Sequence, residues 1–143
     1  MKRGFFPAAL LALTPSLADA ADYTVNFGEV RGQTVEPTQT IKMCPDATGY
    51  RLGYEVIPHQ ADSYHLKTVV HLPAPSKSIG PGMQSQNSGR ELIDDVGTVT
   101  GRAFETYGFN AGDPLGPWSF DISIDDVVVK TVSFNVVPAN ICP

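Results

Sequence analysis

The chain has 143 residues, 42% of them hydrophobic, with ten basic and fifteen acidic side chains and a formal net charge of −5. That is one domain's worth of chain, long enough to bury a real core. An acidic balance with no basic run argues against nucleic acid and anionic membrane as partners.

Residues 1–20 read as a signal peptide. Lys2 and Arg3 form a short basic start, FFPAALLAL is an apolar run, and Ala18-Asp19-Ala20 is a small-x-small cleavage site. The apolar run is too short to span a bilayer. No cysteine follows the cut to carry a lipid, and Lys2-Arg3 is not a twin-arginine signal. A cut near Ala20 leaves residues 21–143 as one exported domain, periplasmic or secreted. Without Lys2, Arg3 and Asp19 its net charge is −6.

Tyr23 to Arg31 alternates Tyr23, Val25 and Phe27 with Thr24 and Asn26. This predicts a strand, with Gly28 marking a bulge. Gly32 to Gln39, with Pro37, reads as a connection, and Thr40 to Cys44 as a short strand stopped by Pro45. Asp46-Ala47-Thr48-Gly49 is a turn. Tyr50 to Ile57 is a strand with Tyr50, Leu52, Tyr54 and Val56 on one face. His59-Gln60-Ala61-Asp62 is a polar turn after Pro58. Tyr64 to Leu72 sets Leu66, Thr68, Val70 and Leu72 against His65, Lys67, Val69 and His71.

From Pro73 to Glu91 the alternation stops. The stretch is rich in Pro, Gly and Ser, and structureless loops of this length are usually functional or mobile. Leu92-Ile93 and Val96 to Thr100 predict an irregular strand. Arg102 to Phe109 predicts another, with Ala103, Glu105, Tyr107 and Phe109 in one phase. Tyr107 and Phe109 flank Gly108, and theirs is the face on which to look for exposed aromatics.

Gly116 to Val137 reads as a closing hairpin. Trp118, Phe120, Ile122 and Ile124 share a face, which places Trp118 in the core. Asp125-Asp126 is the turn. Val132, Phe134 and Val136 need the core face, yet a two-residue turn sets Val127 and Val129 there, in the opposite phase. One extra residue near Lys130 reconciles them: Val127 and Val129 face inward, Lys130 faces out, Val132 meets Phe120 and Phe134 meets Trp118. The alternative, a three-residue loop with Val127 at positive φ, strains a β-branched residue. No segment has a helical period and no repeat is visible. Twelve prolines and thirteen glycines punctuating short strands indicate an antiparallel sandwich or barrel.

Cys44 and Cys142 are the only cysteines. In an exported chain an even pair reads as a disulfide, here tying the tail to an early strand. The chain-entropy gain for so long a loop is roughly 4–5 kcal/mol. There is no C-x-x-C, and neither cysteine has a histidine nearby in sequence.

Gly49-Tyr50-Arg51-Leu52-Gly53-Tyr54, Leu72-Pro73-x-Pro75 and Leu115-Gly116-Pro117-Trp118-Ser119-Phe120 with Phe134-x-Val136 carry a resemblance. Together they resemble a family of small exported bacterial domains of uncharacterised function. That family has a G-x-x-[FL]-G-[FY] strand and a C-terminal G-P-W-[ST]-F hairpin. The resemblance implies an all-β fold, a single antiparallel immunoglobulin-like β-sandwich. It brings no catalytic residues with it.

The chemistry-bearing residues form no recognisable set. His65 and His71 share a strand face but lie about 20 Å apart, too far for one metal. His59 can approach His65 across a turn, without a third ligand in sequence. Asp94, Asp95, Asp121, Asp125 and Asp126 match no calcium loop. Ser76, Ser78, Ser85 and Ser88 lie in no hydrolase motif, there is no phosphate-binding glycine loop, and Met43 and Met83 are isolated. The expectation is a non-catalytic module without metal or cofactor, contacting a protein or glycan at the cell envelope. The competing readings are a small hydrolase or metal enzyme using the 73–91 loop and His71, and a subunit pairing through a free strand edge.

Overall fold

Strands form where the apolar alternation runs, and two extra ones form where it does not. The structure is a computed structural model that describes residues 22–45, 48–60 and 63–143. Residues 1–21, which include the segment read as a signal peptide, and parts of the turns at 46–49 and 59–62 lie outside the described residues. Strands β1 (Tyr23–Arg31), β2 (Thr34–Pro37), β3 (Thr40–Met43), β4 (Arg51–Pro58) and β5 (Ser63–His71) are followed by β6 (Gln84–Gln86), β7 (Glu91–Thr100), β8 (Ala103–Tyr107), β9 (Gly116–Ile124) and β10 (Val127–Pro138). They make a four-stranded sheet in the order β2-β1-β4-β8 and a six-stranded sheet in the order β3-β10-β9-β5-β7-β6. All named pairs are antiparallel except β3 with β10. The all-β sandwich expected from the sequence is what forms.

The hairpin closes the six-stranded sheet as its phases require. Asp125 and Asp126 sit at φ 49° and 64°, the signature of a two-residue I′ turn. The register slips between Val128 and Lys130, then restores Val132 opposite Phe120 and Phe134 opposite Trp118. Val129 is buried and Lys130 exposed. Trp118 is buried and its indole N–H donates to the Pro114 carbonyl at 2.8 Å. Its ring meets Phe109 edge-on at 5.5 Å, and Phe120 meets Phe134 at 5.2 Å. Leu52, Tyr54, Val56, Leu66, Val70 and Ile122 fill the core between the sheets. Cys44 and Cys142 are bonded, with Cα atoms 5.6 Å apart.

Three expectations need correction. Gly28 is not a bulge: it pairs in continuous register with Pro37 and Gly53. A Cβ there would collide with the Glu36 carbonyl, so glycine serves close strand approach. The connection 32–39 holds β2, turned back by Gly32 at φ 62°. Pro37 ends that strand on the sheet's outer edge, where the missing N–H costs little. The 73–91 stretch is not structureless. It contains β6 and a 3-10 turn at Asn87–Gly89. Leu72 N–H donates to Arg90 and Ser76 N–H to Gly89, at 2.8 and 2.9 Å. Beyond it β7 is one strand, with Val96 as the extra residue at the slip between Leu66 and Lys67.

Candidate functional site

The two sheets part between β7 and β8, and that mouth holds the polar groups that point inward. On β7, Asp94 is in phase with buried Leu92 and lies opposite buried Thr68. On β8, Glu105 is in phase with buried Ala103 and lies opposite buried Tyr54. Both carboxylates are half-buried. The Tyr107 hydroxyl donates to Asp94 Oδ2 at 2.8 Å, and the Tyr54 and Thr68 hydroxyls share a hydrogen bond of 2.6 Å.

Burial sets the electrostatics here. It holds the Tyr54 and Tyr107 hydroxyls well above the ordinary phenol range, so both stay protonated and able to donate. Burial first, and the neighbouring Asp94 charge second, raise the Glu105 carboxyl. Glu105 arrives here through Gly53, a residue of the G-x-x-[FL]-G-[FY] strand. A Cβ on Gly53 would collide with the Glu105 carbonyl, so glycine lets β8 lie this close to β4.

Beside these groups the mouth is partly filled. A cavity of about 70 Å³ lies among Leu52, Met83, Leu92, Tyr107, Trp118 and Phe120. A groove of about 260 Å³ runs past Gly80, Met83, Asp94, Thr106, Tyr107 and Asn110 to the surface. The loop over it is pinned. Ser76 Oγ donates to the Ser78 carbonyl at 2.6 Å and to Asp113 Oδ1 at 3.3 Å, and Asp113 Oδ2 accepts from Asn110 N–H at 2.7 Å.

The histidines are dispersed. His59 Nε2 lies 2.6 Å from Thr24 Oγ1, and His65 Nε2 lies 2.6 Å from Asp95 Oδ1. His71 Nε2 is 2.7 Å from Asp121 Oδ2, and its Nδ1 is 3.8 Å from Glu91. Both ring nitrogens of His71 thus face carboxylates, leaving neither aimed at a hydroxyl nucleophile. Among the described residues, no three His, Cys, Asp or Glu side chains are grouped to hold a metal ion. Ser76 and Ser78 line the 70 Å³ cavity, and Ser85 and Ser88 stand in β6 and the 3-10 turn. Asp125 Oδ1 accepts from the His65 N–H at 2.9 Å, fixing the hairpin turn to β5. Tyr107 and Phe109 both turn inward, Phe109 almost wholly buried, so that face offers no aromatic platform. No helix among the described residues is long and apolar enough to cross a membrane.

Asp94 and Glu105 were not singled out by sequence as a pair. The signal was present for Glu105, which stands in the apolar phase of its strand with Ala103, Tyr107 and Phe109. Asp94 fell in the gap between the two halves predicted for β7.

Among curated proteins none matches the chain. An immunoglobulin-like protein from Pseudomonas aeruginosa has a similar solved structure, with a TM-score of 0.54 and 14% identity, covering 80% of this chain and 92% of that one. At that identity the likeness is one of fold, and it makes the sandwich immunoglobulin-like. The model of the PM0630 beta sandwich domain matches residues 21–137, and the chain belongs to that family.

Proposed function

We propose that this protein is an exported, non-catalytic immunoglobulin-like module that works by contact with a protein or glycan at the cell envelope. The observation that carries the reading is the state of the sandwich mouth. Its cavity of about 70 Å³ and the adjoining groove of about 260 Å³ each fall short of the roughly 300–1,000 Å³ that small-molecule sites occupy, and Tyr107, Tyr54, Thr68 and Ser76 there are hydrogen-bonded to protein groups. His71 is likewise committed to Asp121, which weakens the reading of a hydrolase built on the 73–91 loop and His71. The Cys44–Cys142 disulfide supports an oxidising compartment, and the composition of residues 1–20 supports an export signal.

Two assays test it together. Cell fractionation is expected to find the protein outside the cytoplasm with its N-terminus at Ala21, and retention of residues 1–20 in the cytoplasm would contradict export. Generic esterase and glycosidase substrates, with and without added divalent metals, are expected to turn over no faster than buffer. A rate that His71→Ala abolishes would replace this reading with an enzymatic one.

A further inference from the structure

The edge of β8 is open. β8 is hydrogen-bonded to β4 on one side and is the last strand of its sheet. β6 covers β7 only over Glu91–Ile93, so beyond Ile93 the neighbouring sheet is open at the same mouth. Along a strand edge, alternate residues turn their N–H and C=O outward, a template for another strand.

The charges at this mouth are unbalanced. Glu29 pairs with Arg31, Glu55 with Arg102, Asp95 with His65, Asp121 with His71 and Asp126 with Lys67. Asp94 and Glu105 have no basic partner among the described residues. Asp94 is met by the Tyr107 hydroxyl, while the Glu105 carboxylate accepts no hydrogen bond from a described residue. Half-buried carboxylates without a cation are costly to keep charged, and this chain keeps one on each sheet, facing the same gap.

We propose that the open edge of β8 receives an extended strand of a partner protein, whose lysine or arginine enters the mouth between Glu105 and Asp94. The inference rests on the contact-module reading and names the partner's chemistry. A strand added antiparallel to β8 places one residue directly opposite Glu105, on the inward face. Side chains two positions to either side share that face and meet Ala103 and Tyr107, with Met83 of the overlying loop lining the groove alongside. The motif is therefore apolar-x-basic-x-apolar. A glycan offers no row of amides to match the edge, whereas a peptide does.

A second copy of this chain is the wrong occupant. Glu105 is the central residue of β8, so antiparallel self-pairing about the strand centre sets Glu105 against Glu105. Like charges directly opposite are destabilising. The same side chain that attracts a basic strand thus repels the protein's own.

The probe is a labelled nine-residue peptide of alternating valine and threonine with lysine at its centre, in the valine phase. Fluorescence anisotropy with the purified protein is expected to show it binding about tenfold tighter than the same peptide with glutamine at the centre, the scale of one charge-assisted contact. Glu105→Gln is expected to erase that preference, with circular dichroism unchanged. N-methylation of every peptide amide is expected to abolish binding to both proteins. Amide shifts in the NMR spectrum are expected to centre on residues 103–108. Asp94→Asn supplies an independent variant should Glu105→Gln alter the fold. Any of four results overturns the proposal: no binding at millimolar peptide, equal affinity for lysine and glutamine peptides, shifts centred elsewhere, or a dimer forming through β8. None of these touches the turnover assay, which tests the contact-module reading separately.

Discussion

Glu105 occupies the phase of β8 in which a charge is most expensive, and its protonation should be visible in stability. Burial first and Asp94 second raise its carboxyl in the folded state. The folded protein therefore takes up this proton at a higher pH than the unfolded chain, whose glutamates titrate near ~4.3. For a raised acid the stabilising contribution is fully present below the unfolded value and is lost as pH rises through the folded one. Urea denaturation should accordingly show Glu105→Gln to be the more stable protein at pH 7. The gap should narrow or reverse below about pH 4. An equal gap at both pH values would show that Glu105 titrates normally. Trp118 was readable from sequence because its phase agrees with Phe120 and Ile122. Glu105 was harder: its phase was visible, but strand period alone does not say whether an edge charge turns into a gap or curls out to water.

At the level of single strands, the sequence was most informative where two phases disagreed. The hairpin bulge was legible because Lys130 and Val132 make incompatible demands on a regular strand. Deleting Val129 removes the extra residue and keeps the register on both sides, but turns Lys130 inward opposite buried Ile122. We expect this deletion to cost roughly 2–4 kcal/mol in denaturation, from an unpaired charge aimed at the core. Adding Lys130→Val should recover most of that loss. If the deletion alone is silent, Lys130 is not what the bulge protects the core from. The strands that sequence missed lacked any such conflict. Gln84–Gln86 is wholly polar and exposed, and it is a strand only because Glu91–Ile93 lies beside it. Thr34–Pro37 is short, mostly exposed and ends in proline, and its pairing with β1 is set by the turn at Gly32. Pairing imposed by a neighbour leaves no period in the paired segment.

Across the whole molecule, one covalent link and one gap define the architecture. The Cys44–Cys142 bridge spans 98 residues of sequence and fixes the segment after β10 against the segment after β3. The parallel pairing of those two strands, Asn135 to Pro138 with Thr40 to Met43, lies immediately before it. Replacing Cys142 with serine should lower unfolding free energy by about 2–4 kcal/mol. The loss should appear as faster amide exchange over 135–143, with β4 and β5 spared. The pair could be read from an even cysteine count in a chain whose first twenty residues read as an export signal. The gap could not, since no local pattern announces which side of a sandwich stays open. That depends on β8 ending one sheet while β6 covers only the start of β7. The side-chain carbon shift of Glu105, followed against pH in the free protein and then with the lysine peptide, tests this account most directly. We predict a midpoint above the ordinary glutamate range that falls when the peptide is added. A midpoint at or below that range in the free protein, unmoved by the peptide, would mean that Glu105 already has its partner and that the mouth is closed.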